Sequence, residues 1–133
     1  MFDVLQQHFE KYSWVKFAFL FGSQARGDAT QSSDWDIAIW LDNDIAPLER
    51  LAKIEDLRNA LAKLLGKNDT AIDIVELNRA ELSIAATVVN EGIVIKGEHS
   101  LELANYYVRI WALEEDFQWR LNNEPRTLPT ANT

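Results

Sequence analysis

The chain has 133 residues, with 13 Lys plus Arg against 21 Asp plus Glu and a net charge of −8. That length suits a single domain able to bury a real core, and the acidity argues against direct nucleic acid binding, because affinity for a phosphate backbone comes from clustered cations. There is no cysteine, which excludes disulfide frameworks, thiolate metal sites and a cysteine nucleophile together.

The opening stretch MFDVLQQHFEKY has neither the basic start nor the apolar block of a signal peptide. No apolar run approaches the length of a bilayer span, so no membrane association is expected and the cytoplasm is the expected compartment. Phe2, Leu5, Phe9 and Tyr12 recur at helical spacing and predict a short amphipathic helix over 2–12. The run from Val15 to Phe21 is β-branched and aromatic, a buried strand at that length. Gly22 to Ser33 is small and polar, a loop or a loop with one helical turn. Trp35 to Leu41 is a second strand, with Trp35, Ile37, Ile39 and Leu41 on one face and Asp36, Ala38 and Trp40 on the other.

Pro47 near the first turn and Gly66 past the end bracket a helix whose apolar stripe is Leu48, Leu51, Ile54, Leu57, Leu61 and Leu64. Ala71 to Leu77 is a third strand, followed by Asn78 as the expected cap of a helix over 79–90 and Gly92 after its end. Ile93 to Lys96 is a short edge strand, and 100–122 a long last helix. The Pro, Thr and Asn content from Glu124 onward predicts a flexible tail over 124–133. Helix and strand alternate throughout, so the expected fold is α/β or α+β: one domain over 1–123, with a small mixed sheet of about four strands flanked by helices.

Chemistry concentrates at three places. Residues i and i+2 of a strand point the same way about 6.5–7 Å apart, so Asp34 and Asp36 project together from the start of the second strand. Two carboxylates ~4 Å apart repel by roughly 4 kcal/mol at an effective dielectric near 20. A divalent cation between them removes that cost, and Mg²⁺ favours one or two carboxylates with water and substrate phosphates. The alternative is a loop-capping Asp34 and a solvated Asp36. Gly22-Ser23 closes the preceding strand; its glycine lets a backbone approach a phosphate and its hydroxyl can donate, although an ordinary turn has the same sequence. Arg26 in the same loop offers a forked cation. Asp73 lies in an otherwise apolar strand and needs a partner, either a basic side chain or a cation shared with the first two carboxylates. His8 and His99 lie far apart without ligand spacing, so no histidine metal site is expected.

Gly22-Ser23, ten intervening residues, Asp34-x-Asp36 and a later strand Asp73 resemble the nucleotidyltransferase superfamily that includes DNA polymerase β and kanamycin nucleotidyltransferase. The string GSQARGDATQSSDWDIAIWL and the small size look most like the minimal nucleotidyltransferase (MNT) antitoxins, encoded beside HEPN-domain ribonuclease toxins. The resemblance implies a nucleotidyltransferase-like fold, with Asp34, Asp36 and Asp73 as catalytic carboxylates and ligands of Mg²⁺, two ions in all. It makes Gly22 and Ser23 the phosphate-binding turn and Arg26 a helper at the phosphates. It further implies ATP as donor and a tyrosine hydroxyl of a HEPN toxin as acceptor, so that AMP is transferred and pyrophosphate released. The aromatic load of the last helix, Tyr106, Tyr107, Trp111, Phe117 and Trp119, fits a protein partner, or else a core in which Leu103, Tyr107, Ile110 and Trp111 are buried. Two other functions stay open: transfer to a small hydroxylated molecule, and neutralisation of the toxin by binding alone.

Overall fold

Alternation of apolar side chains along two central strands gives this chain a sheet with two buried faces. The computed structural model describes residues 2–124. In chain order the elements are α1 (Phe2–Phe9), β1 (Val15–Phe21), α2 (Ser23–Arg26), β2 (Trp35–Leu41), α3 (Pro47–Leu65), a 3₁₀ turn (Asp69–Ala71), β3 (Ile72–Glu76), α4 (Leu82–Glu91), β4 (Ile93–Lys96) and α5 (Leu101–Asn123). The sheet order is β3-β2-β1-β4, so β4 is at an edge as expected. β1 runs antiparallel to both β2 and β4, and β2 runs parallel to β3. The parallel pair needs a crossover, which α3 supplies. The expected fold, a small mixed four-stranded sheet with flanking helices and a long final helix, is the fold observed.

Ala18, Leu20, Ile37 and Ile39 face α1 and α3, where Leu5, Phe9, Leu57 and Leu61 close the first core. Phe17, Phe19 and Ala38 face α4 and α5, where Ala85, Val88, Leu103, Tyr106 and Ile110 close the second. The face holding Ala38 also carries Asp36 two residues earlier, so the second core begins one strand step from a carboxylate.

Several elements differ from expectation for identifiable reasons. The first helix stops at Phe9, and Glu10, Lys11 and Tyr12 continue as tight turns whose N–H groups donate to the carbonyls of Gln7, His8 and Phe9. The stripe of α3 is half solvated: Leu48 is 80% and Leu51 66% exposed, and Leu64 is exposed as well. A 19-residue helix is about 28 Å long and overhangs the five-residue β3 it packs against. Asn78 is not a helix cap, since α4 starts at Leu82 with Glu81 at its N-cap. The Asn78 carboxamide instead extends the β2–β3 ladder, accepting from the Leu41 N–H at 2.9 Å and donating to the Leu41 carbonyl at 3.0 Å. Asn78→Ala leaves both groups of Leu41 unpaired and is expected to cost about 1–3 kcal/mol in urea unfolding. Asn78→Asp keeps the acceptor for the Leu41 N–H but sets a carboxylate oxygen against the Leu41 carbonyl, so it should not recover that loss.

Ser100 caps α5, its hydroxyl accepting from the Leu103 N–H at 3.2 Å. Of the α5 side chains, Leu103, Tyr106 and Ile110 are buried, whereas Trp111 is exposed and Tyr107 only half-buried. The tail expected over 124–133 lies, beyond Glu124, outside the described residues. Among the described residues no helix is long and apolar enough to cross a membrane.

Candidate active site

The site forms where β1 ends and β2 and β3 begin. Phe21, the last residue of β1, pairs with Asp36. Asp36 in turn pairs with Asp73 across the parallel β2–β3 ladder. Neighbouring strands lie about 4.8 Å apart and paired residues point the same way, so the two carboxylates stand side by side. Asp34 precedes β2 by one residue and lies close enough for its charge to act on Asp36, while Trp35 between them is buried in the core against α1 and α3. The Trp35 indole N–H has no partner among the described residues.

Gly22 makes the turn beside this pair. Its backbone sits at φ 72°, ψ −156°, a region essentially restricted to glycine. A Cβ at Gly22 would lie 2.2 Å from Asp36 Oδ2, so the glycine backbone is in contact with the carboxylate. Ser23 then opens the single turn of α2, which ends at Gly27 (φ 84°), whose N–H donates to the Ser23 carbonyl at 3.0 Å. The Ser23 and Gln24 amides begin this turn and therefore have no intrahelical acceptor.

Burial raises the Asp36 carboxyl above its ordinary value, and the charges of Asp73 and then Asp34 push it further. The Asp73 carboxyl is also within hydrogen-bonding reach, and Arg26 pulls only partly the other way. Arg26 is exposed, its Nε 3.4 Å from Asp28 Oδ2. Among the described residues no group of three or more His, Asp or Glu side chains forms a ready-made cation cage. The donor set is nonetheless hard oxygen, and it concentrates negative charge on a group that resists ionising. That suits a cation arriving with phosphate ligands of its own, as Mg²⁺ does when it takes only one or two carboxylates from a protein.

The structure thus gathers Gly22, Asp36 and Asp73, sets Ser23 next to that turn, and brings Asp34 and Arg26 within electrostatic reach of Asp36. Two cations that the sequence pattern did not single out brace the arrangement. Lys67 Nζ donates to the Gln31 carbonyl at 2.8 Å and ties down the loop that leads to Asp34. Arg58 Nη1 donates to the Ile72 carbonyl at 3.0 Å, one residue before Asp73. Both partners are backbone carbonyls distant in sequence, so no local pattern announces them.

A small mixed sheet that gathers strand-borne carboxylates beside a glycine-serine turn defines the nucleotidyltransferase class. The chain belongs to the polymerase beta nucleotidyltransferase family, whose sequence profile matches residues 3–100. It is 33% identical over 104 residues to the protein adenylyltransferase MntA of Aphanizomenon flos-aquae (strain 2012/KM1/D3), an alignment covering 75% of this chain and 69% of that protein. The fold is similar to a chain in the crystal structure of a toxin–antitoxin with AMP-PNP, with a TM-score of 0.70 at 21% identity over 91% of this chain and 93% of the other. It is also similar to a chain in the structure of a tri-AMPylated Shewanella oneidensis HEPN toxin in complex with MNT antitoxin, with a TM-score of 0.63 at 20% identity over 92% and 94%.

Proposed function

We propose that this protein is an antitoxin that transfers AMP from ATP to a tyrosine hydroxyl of a HEPN-domain ribonuclease toxin in the cytoplasm. The observation that carries the reading is the side-by-side placement of Asp36 and Asp73 against the Gly22 turn. The 33% identity to a protein adenylyltransferase supports protein as the acceptor class. Asp34, Asp36 and Asp73 would hold two Mg²⁺ ions, which supply charge neutralisation at the phosphates and acidify the acceptor hydroxyl. The Gly22–Ser23 turn grips the triphosphate through backbone amides and the Ser23 hydroxyl, and Arg26 donates to phosphate oxygens. The tyrosine oxygen bonds to the α-phosphorus, the bond from that phosphorus to the bridging oxygen breaks, and pyrophosphate leaves. Asp73 takes the tyrosine proton. AMP remains on the toxin, adding bulk and negative charge where RNA phosphates must bind.

Intact-protein mass spectrometry tests this with the HEPN-domain partner of the proposed reaction, ATP and Mg²⁺. The expected result is a gain of AMP units on the HEPN protein that disappears with an Asp34→Asn/Asp36→Asn variant. A stable complex with no mass gain on either protein would instead assign neutralisation to binding alone.

A further inference from the structure

The apolar stripe that anchors α5 does not end where its core ends. Leu103, Tyr106 and Ile110 are buried against the sheet and α4. At spacings of three and four residues the same line continues through Leu113, Phe117 and Leu121, which are 43%, 51% and 43% exposed. At 100° per residue, Leu113, Phe117 and Leu121 fall in the same sector of the helix as Leu103, Tyr106 and Ile110. Trp119 falls on the opposite side and is 59% exposed. The aromatic load of the helix therefore divides three ways: Tyr106 into the core, Phe117 on the projecting stripe, and Trp119 off it.

A cavity of about 360 Å³ opens between this projecting half and the start of α4, lined by Leu82, Ala86 and Phe117 with Glu81 and Glu114 at its rim. A stripe with this spacing, lengthened past its own buried core and bordered by a groove, has the form of one side of a helix–helix seam. Its flanks carry Glu114 and Asp116 against the single cation Arg120, which is paired to Asp116 at 3.3 Å, and Glu81 adds a further carboxylate at the groove. A second copy would bring the same carboxylates, and another net charge of −8, against this surface. A basic partner removes that repulsion.

We infer that the second half of α5 and the start of α4 form the docking surface for an apolar-faced helix with basic flanks, belonging to the protein partner of the proposed reaction. The inference rests on that reading for the identity of the partner, not for the surface. The second core, against which α4 and α5 pack, covers the face of β2 that carries Asp36, so a partner held there sits on the carboxylate side of the sheet.

The test measures binding of the HEPN protein without nucleotide, comparing the full chain with Leu113→Gln/Phe117→Gln and with Trp119→Gln. Both changes lie on exposed residues, and circular dichroism melts should match the parent. Hot-spot losses of this kind imply at least about 30-fold weaker binding for the stripe variant, with Trp119→Gln within about twofold of the parent. Parent-like binding by the stripe variant, or an equal loss with Trp119→Gln, overturns the inference. So does a dimer of the chain alone that the stripe variant dissociates, since the stripe is then a self-interface. No binding by the unaltered chain overturns the partner reading as well, whereas stripe-dependent binding without AMP transfer overturns only the transfer reaction.

Discussion

Replacing Asp36 with asparagine is expected to abolish nucleotidyl transfer and, at neutral pH, to make the protein more stable. The change is nearly isosteric, so packing around β2 is kept. What it removes is a charge that the fold resists: burial, then Asp73, then Asp34 raise the Asp36 carboxyl above its ordinary value of 3.8. An acid with a raised folded-state value binds its proton more tightly folded than unfolded. Stability therefore falls as pH rises from about 3.8 through the raised value, and the loss is complete above it. Asp36→Asn carries no such penalty, so its melting temperature should exceed that of the parent at pH 7 and converge on it toward pH 4. At this size each kcal/mol recovered is worth roughly 4 °C. Transfer to the HEPN protein, followed by mass spectrometry, should fall by about 10²–10³-fold or more, the scale of losing a preorganised electrostatic group. A melting temperature unchanged across that pH range would remove the case for a charge-strained pair. Full activity in the variant would remove Asp36 from the reaction.

How far the sequence foretold this site follows from how local each signal is. Strand periodicity placed Asp36 on the face of Ala38 and Trp40, and the spacing of Asp34 and Asp36 needed only the rise of a strand. That Asp73 would meet Asp36 does not follow from spacing, because it depends on the parallel register of β2 and β3, set by the long crossover from Asp42 to Ala71. The resemblance supplied that juxtaposition instead. Asn78 misled because asparagine before a helix ordinarily caps it, and only the paired strand reveals Leu41 as its partner. The stripe of α3 misled in a different way: helical periodicity reports an apolar face but not how much sheet lies beneath it, so Leu48 and Leu51 stand in solvent. On α5 the aromatic count was legible, whereas its division among core, projecting stripe and opposite face depends on where the second core stops.

Gly22→Ala should be as damaging as the loss of a carboxylate, by an independent route. An added methyl group meets two obstacles at once. At φ 72°, ψ −156° an L-residue is strained by about 1–3 kcal/mol before any contact is counted. The Cβ would also lie 2.2 Å from Asp36 Oδ2 and 3.1 Å from its carboxyl carbon. Asp36 cannot retreat easily, because its backbone is paired on one side with Phe21 and on the other with Asp73. Either the turn must flip, withdrawing the Ser23 amide from the phosphate side, or the Asp36 side chain must rotate away from Asp73. Both outcomes dismantle the proposed nucleotide site, so ATP binding measured by calorimetry and AMP transfer should be lost together, with unfolding stability lowered by about 2–4 kcal/mol. Gly27→Ala is the matched control, since Gly27 also has positive φ but a Cβ there meets nothing within 4 Å. That variant should lose about 1 kcal/mol of stability and keep most of its transfer activity. Equal loss of activity in the two variants would mean that the conformation of the turn, and not the contact of Gly22 with Asp36, is what the reaction needs.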